Sequence, residues 1–300
     1  MGTLDGRVAV VTGAGRGLGR EHALLLAEEG AAVVVNDYGS APAGGGGDAT
    51  PAEQVVAEIR SAGGTAVANA DDVADWEGAR RLIETSVAEL GGLDVLVNNA
   101  GILRDGFLVG LGESDWDAVV NVHLKGHFCP LHFAAQHWRD QAKAGNAAGG
   151  SVINTSSAAG LFGNPGQLNY GAAKAGIATM TLIAAAELGR YGVRVNAIAP
   201  VARTRLTEEV PGIGELLKAP QETGAFDVFD PANVAPLVAY LASPMCTLTG
   251  QVYAVHGGKI GRFGSWSVER TFEVARRPTI AELAEAVPAL GERLPPSELF

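Results

Sequence analysis

Arg7-Val-Ala-Val-Val-Thr12 is a β-branched run that stops at Gly13, and a helical pattern follows from Leu18 to about Glu29. Ala32–Asn36 is a second apolar run. Strands that are apolar throughout are covered by helices on both faces, so these segments form a βαβ unit. The alternation predicts further strands at Thr65–Ala68, Val95–Asn98, Ser151–Thr155, Arg194–Ala199 and Gln251–Val255. Helices are expected at about Pro51–Ala62, Trp76–Leu90, Asp115–His137, Tyr170–Gly189 and Pro231–Ala242. Such a chain builds an α/β fold, here a single-domain, Rossmann-type, doubly wound sheet of seven parallel strands with right-handed crossovers. Residues 1–258 make that domain, and residues 259–300 read as a C-terminal extension packed on the domain or on a partner subunit. Gly39–Thr50, Ala142–Gly150 and the Pro-bearing tail from Lys259 onward read as irregular.

Composition supports one extensive core: 47% of the 300 residues are apolar and 18% are charged. A formal charge of −11 argues against nucleic acid and against an anionic membrane surface as partners. Cys129 and Cys246 are too few for a disulfide framework and suit a reduced compartment. No signal-peptide pattern opens the chain, and no apolar stretch approaches the roughly 18 residues of a membrane span. The expected location is cytoplasmic. His127, His132 and His137 recur every five residues, which builds no metal-binding face, so no metal is expected.

The first chemical signal is Thr12-Gly-Ala-Gly-Arg-Gly-Leu-Gly19, between a strand and a helix. A glycine turn opening a helix presents free N–H groups and the positive end of the helix dipole to a pyrophosphate. Gly13 allows the tight turn, Gly17 the approach of phosphate, and Gly19 close packing of helix on sheet. Arg16 and Leu18 complete this candidate cofactor turn. Asp37 ends the second strand, where a carboxylate accepts both adenosine ribose hydroxyls and repels a 2′-phosphate. With no Arg or Lys in the next twenty residues, the expected cofactor is NAD.

Tyr170 and Lys174 lie four apart in a helical stretch and share a face. A nearby ammonium favours tyrosinate and is expected to lower the tyrosine pKa by roughly 1–3 units, so that it exchanges a proton with substrate. Ser157, just past the strand ending near Thr155, places a hydroxyl where charge develops on a reacting oxygen. Ser156 competes for that role, and a turn-capping Ser is the plainer alternative.

These segments, with Asp72-Val73, Asn98-Asn-Ala-Gly101 and Asn196-Ala-Ile-Ala-Pro200, stand in the order and spacing of the short-chain dehydrogenase/reductase family, which the chain resembles from residue 4 to about residue 270. The resemblance implies an NAD-dependent oxidoreductase acting on a small-molecule substrate, moving a hydride between cofactor and a carbonyl/alcohol pair. It implies adenine contacts from Asp72 and Val73, and a sheet beside the cofactor stabilised by Asn98, Ala100 and Gly101. It further implies that Tyr170 and Lys174 meet the cofactor, Lys174 through the nicotinamide ribose, and that Pro200, Val201 and the residues after them meet the nicotinamide amide. It also implies a homodimer or homotetramer assembled through the helices at Asp115–His137 and Tyr170–Gly189. Two positions depart from the family pattern. His123 stands where the family has an Asn that holds a water in a proton relay; a His can relay protons as well, or simply pack there. Val201 replaces the usual Gly after Pro200.

More narrowly, VVVNDYG, NNAGILRD, VHLKGHF and GNPGQLNYGAAKAGI resemble the dehydrogenase units of peroxisomal multifunctional enzymes of type 2. That similarity implies a 3-hydroxyacyl-CoA or hydroxysteroid substrate. Two other classes compete: a catalytically silent NAD-binding or redox-sensing protein, and a nucleotide-sugar epimerase. An intact Ser157, Tyr170 and Lys174 set disfavours the first, because a binding protein needs no proton-transfer groups. The glycine spacing and the absence of a large C-terminal substrate domain disfavour the second.

Overall fold

Apolar runs become strands and the amphipathic stretches between them become helices in the computed structural model, which describes residues 2–41, 44, 50–146, 149–204, 217–220, 224–264 and 267–291. In chain order these are β1 (Val8–Thr12), α1 (Gly17–Glu28), β2 (Ala32–Asn36), α2 (Thr50–Ser61), β3 (Thr65–Asn69), α3 (Trp76–Leu90) and β4 (Val95–Asn98). The second half holds α4 (Glu113–Val120), α5 (Gly126–Lys143), β5 (Gly150–Thr155), α6 (Ala158–Phe162) and α7 (Leu168–Leu188). It continues with β6 (Val193–Val201), α8 (Ala235–Ala242), β7 (Val252–His256) and β8 (Lys259–Arg262).

The strand order is β3-β2-β1-β4-β5-β6-β7-β8. The winding reverses between β1 and β4, which opens a crevice at the carboxyl ends of those strands. Every residue of β1, β4 and β5 is buried. Alternate side chains point to opposite faces, so β1 places Ala9 and Val11 in one apolar cluster and Val10 in the other. Each such Val or Leu contributes about 1.5–3 kcal/mol by leaving water. At the far end of the sheet, Asp94 pins β1 by accepting from Val8 N and from the Arg7 guanidinium, both at 2.9 Å.

Three expectations need correction. The sheet has eight strands, not seven, and it is not wholly parallel: β8 runs antiparallel to β7. His256 pairs with Lys259 across Gly257-Gly258, and Gly257 sits at φ +53°, where a side chain is strained. Lys259–Arg262 is therefore sheet rather than the start of an irregular tail. The expected single helix over Asp115–His137 is α4 and α5 separated by a π-helical turn, Asn121–Lys125. The short helix α6 follows Ser157 where none was expected.

The chain forms two compact units, Met1–Arg262 and Phe263–Phe300. In the second, α9 (Ile280–Ala289) begins at a capping box: Thr279 Oγ1 accepts from Glu282 N and the Glu282 carboxylate accepts from Thr279 N. Pro288 lies inside that helix. Most of the irregular stretch 39–50, at 42, 43 and 45–49, lies outside the described residues, as do 147–148 and the tail beyond 291. Among the described residues no helix is long and apolar enough to cross a membrane, and no cluster of His, Cys, Asp or Glu could hold a metal. Cys129 and Cys246 are both free and buried.

Candidate active site

At the crevice, β1 and β4 are tied by one hydroxyl. Thr12 Oγ1 accepts from Asn99 N at 2.9 Å and Ala100 N at 3.2 Å, while Asn99 Nδ2 donates to Thr12 O and Gly13 O. Gly13 (φ +62°) and Gly17 (φ +52°) take conformations that only glycine adopts freely. A Cβ on Gly19 would lie 2.1 Å from Gly13 O, so the turn closes against α1 only without side chains. Arg16, exposed, offers no side-chain cap to α1, and the first turn carries no acid. The positive end of the helix therefore faces the crevice uncompensated. Leu18 points the other way and packs on the core.

Asp37 stands beside this turn. Its carboxylate accepts from Gly15 N at 2.8 Å and Gly39 N at 2.7 Å. The turn after β3 is laced to the same corner: Asn36 Nδ2 donates to Asp71 O, and Asp37 N donates to Asn69 O. There Asp72 accepts from Ala74 N at 2.8 Å, half-buried, and Val73 is buried. A glycine cradle with no room for a Cβ at Gly13 and Gly19, an open helix N-terminus and a carboxylate at the end of β2 fit a dinucleotide: pyrophosphate on the cradle, ribose hydroxyls on Asp37. Asn98, buried, donates to Asn154 Oδ1 at 3.0 Å and joins β4 to β5. Pro200 and Val201 end β6, opposite Val255 and His256 of β7.

The catalytic candidates meet at the carboxyl end of β5. Ser157 is the N-cap of α6, its hydroxyl accepting from Ala159 N at 3.2 Å, and it also hydrogen-bonds the Tyr170 hydroxyl. Capping and contact with the tyrosine are thus both true of Ser157. Ser156 is otherwise engaged: fully buried, it donates to Lys174 O at 2.8 Å. Lys174 Nζ donates to Thr155 O at 2.6 Å and lies 5.5 Å from the centroid of the Tyr170 ring.

The titration of the pair differs from expectation. Burial pushes the Tyr170 phenol above its ordinary value, against the pull of the Ser157 hydrogen bond, and the Asp105 carboxylate adds to the rise. No lowering by Lys174 offsets that rise, and burial drives Lys174 itself down, to about 7.

His123 projects from the π turn, 2% exposed, its Nε2 2.7 Å from Ile102 O and its ring 5.1 Å from that of Tyr170. Burial, reinforced by the Lys174 charge, holds its pKa down to about 3.

Two residues the sequence reading passed over hold the start of α7. Asn169, fully buried, donates to Arg104 O at 2.9 Å and Asp115 O at 3.2 Å, and accepts from Tyr170 N at 2.8 Å. Asp105 accepts from Gln167 Nε2 at 2.8 Å. α7 has no side-chain cap, so this strap replaces one. An Asn directly before the tyrosine, where a helix begins, is the signal that could have found it. Replacing Asn169 by Ala removes its bonds to Arg104 O, Asp115 O and Tyr170 N. A loss of about 1–3 kcal/mol in urea unfolding is expected, and an unchanged midpoint would deny the strap its role.

Comparison with known proteins agrees with this geometry. The family described as short chain dehydrogenase matches residues 7–211. The hydroxyacyl-CoA dehydrogenase ChsB1 of Mycobacterium tuberculosis is 48% identical over 276 residues, covering 90% of this chain and 83% of that protein. The peroxisomal multifunctional enzyme type 2 of Drosophila melanogaster is 46% identical over 82% of this chain, which spans 38% of that longer protein. A crystal structure of a short chain dehydrogenase from Mycobacterium avium superposes with a TM-score of 0.86 at 49% identity, covering 98% of this chain and 99% of that one. Fold, family match and relatives agree: the chain belongs to the short-chain dehydrogenases, oxidoreductases that act on CH–OH groups with a nicotinamide cofactor.

Proposed function

We propose that this enzyme uses NAD to interconvert a secondary alcohol and a ketone, with 3-hydroxyacyl-CoA thioesters as its substrate class. The observation that carries the reading is the meeting of Ser157, Tyr170 and Lys174 at the carboxyl end of β5, beside the glycine cradle. The thioester rests on the relatives, one named a hydroxyacyl-CoA dehydrogenase.

The cradle of Gly13, Gly17 and Gly19 holds the pyrophosphate, Asp37 the adenosine ribose, and Lys174 the nicotinamide ribose. When bound, the nicotinamide supplies the hydride chemistry at the carbinol carbon. Ser157 hydrogen-bonds the substrate oxygen and Tyr170 exchanges its proton. A raised pKa keeps Tyr170 a phenol in the free enzyme, ready to donate to a carbonyl. Burial lowers the Lys174 pKa to about 7, and its ammonium lies over the Tyr170 ring beside the reacting hydroxyl.

Asp37 favours NAD because a 2′-phosphate would meet its carboxylate in place of a ribose hydroxyl. Phe128 on α5 and Leu182 and Ile183 on α7 are exposed apolar positions on the helices through which a homodimer or homotetramer would form. Two free, buried cysteines accord with a cytoplasmic setting. No comparison supports a silent binding protein.

Initial rates with NAD+ against NADP+ over a panel of 3-hydroxyacyl-CoAs and 17β-hydroxysteroids test this reading. Turnover with NAD+ is expected, and preference for NADP+ would overturn the role of Asp37. In Asp37→Ser, loss of charge-assisted bonds raises the KM for NAD+ about 10–100-fold. NADP+ then gains relative to NAD+, with exposed Arg16 at the same turn as a cation for its phosphate.

A further inference from the structure

His123 is placed with more constraint than a core residue requires. Its Nε2 lies 2.7 Å from the carbonyl oxygen of Ile102 and 3.2 Å from the Ile102 amide nitrogen. The Ile102 amide donates to Nε2 and the Ile102 carbonyl faces the same nitrogen, so one backbone residue holds this side of the ring in either tautomer. Nδ1 is buried and without a hydrogen-bond partner among the described residues. The titratable groups that face the ring are Lys174 and Tyr170 from α7 and His127 from α5. Burial first, and then the charge of Lys174, oppose a charge on His123.

Two ring contacts say what this neutral imidazole does. It stands edge-on to Tyr170, with planes at 88° and centroids 5.1 Å apart, a favourable arrangement for aromatic rings. On its other side it leans on Gly101, where a Cβ would come within 2.4 Å of Cε1. Carbon atoms do not pack so closely, so the ring and any side chain at position 101 exclude each other. The π turn at Asn121–Lys125 shifts the register between α4 and α5 and sets His123 into this slot.

We propose that His123 is a positioning residue, a neutral wedge seated on Gly101 and Ile102 that fixes the ring of Tyr170, and that its imidazole carries no proton in the reaction. The inference rests on the reading of Tyr170 as the acid/base group. It departs from the relay role that the family resemblance implies for this position.

The test uses the full-length enzyme with NAD+ and its best alcohol substrate, following kcat and KM across pH. NAD+ binding, read by protein fluorescence, shows that each variant is folded. His123→Ala lets the Tyr170 ring shift, and kcat is expected to fall about 10²-fold with KM little changed. His123→Phe restores a flat ring that cannot carry a proton, and is expected to recover most of that loss with the limbs of the pH profile unmoved. Gly101→Ala displaces the imidazole and falls as His123→Ala does. The double variant is expected to be no worse than His123→Ala, because the added methyl enters the space the ring has left.

A His123→Phe protein as slow as His123→Ala, with a limb of the pH profile lost, would show a proton carrier and overturn the wedge. Additive losses in the double variant would show that the two positions share no slot, and would overturn it equally. Tyr170→Phe, run alongside, separates the failures. If that variant keeps its turnover, the acid–base reading falls, and the wedge loses the residue it was meant to position.

Discussion

Tyr170→Phe keeps the aromatic ring and removes the only hydroxyl that bonds Ser157 from α7, and kcat is expected to fall about 10²–10⁴-fold. The ring stays because its packing against His123 and Lys174 does not involve the hydroxyl. Binding of NAD+ should change little, since the cradle, Asp37 and Lys174 are all left in place. The expected signature is therefore a loss in kcat with the Kd for NAD+ preserved, measured by steady-state rates and fluorescence titration. A phenylalanine variant within a few-fold of wild type would remove Tyr170 from the chemistry.

Acid is expected to begin weakening the protein near pH 6, before its carboxylates start to protonate. His22 of α1 is fully buried, and neither ring nitrogen has a hydrogen-bond partner among the described residues. Burial holds its pKa down to about 3, against 6.5 for the free side chain. The unfolded chain therefore takes up a proton on this residue below pH 6.5, while the folded chain refuses it until about pH 3. Stability contributed by the neutral state is complete above 6.5 and is lost progressively as pH falls through that window. At about 1.4 kcal/mol for each pH unit, one such histidine removes about 5 kcal/mol by the lower end. His123, also held to about 3, removes a similar amount over the same window. Together they match the whole stability of an ordinary domain, about 5–15 kcal/mol. Urea melts between pH 7 and pH 4 should show a steep fall beginning near pH 6. His22→Leu removes one of these contributions and should move the acid midpoint downward, whereas an unmoved midpoint would mean that His22 protonates in the folded state.

Much of this was legible from residues alone, for reasons that are local. Strands such as Val8–Thr12 and Val95–Asn98 are apolar throughout because both faces are covered, and that pattern belongs to a parallel sheet without further information. The glycine turn was legible because Gly13 and Gly17 meet a backbone demand that few other residues satisfy. The β7–β8 hairpin was equally local, written as Gly257-Gly258 between strand-forming runs, and the reading missed it by treating Lys259 as tail.

Other features depended on contacts between distant segments. Ser156 and Ser157 are equivalent in sequence, and only the arrival of α7 separates them, giving one hydroxyl to Lys174 O and the other to the tyrosine. The titration of Tyr170 and Lys174 also follows from tertiary structure, since desolvation depends on everything packed around a group and is the largest influence on both. The π turn between α4 and α5 does not stand out in the sequence, because helical backbone runs through it and each side keeps its own apolar pattern, one only shifted in register against the other. Sequence by itself thus determined the sheet, the cradle and the identities of the reacting side chains, each governed by neighbours along the chain. Tertiary structure alone decided which hydroxyl faces the tyrosine, which histidine is wedged beside it and which groups hold a charge there, because hydrogen bonding and desolvation are set by neighbours in space.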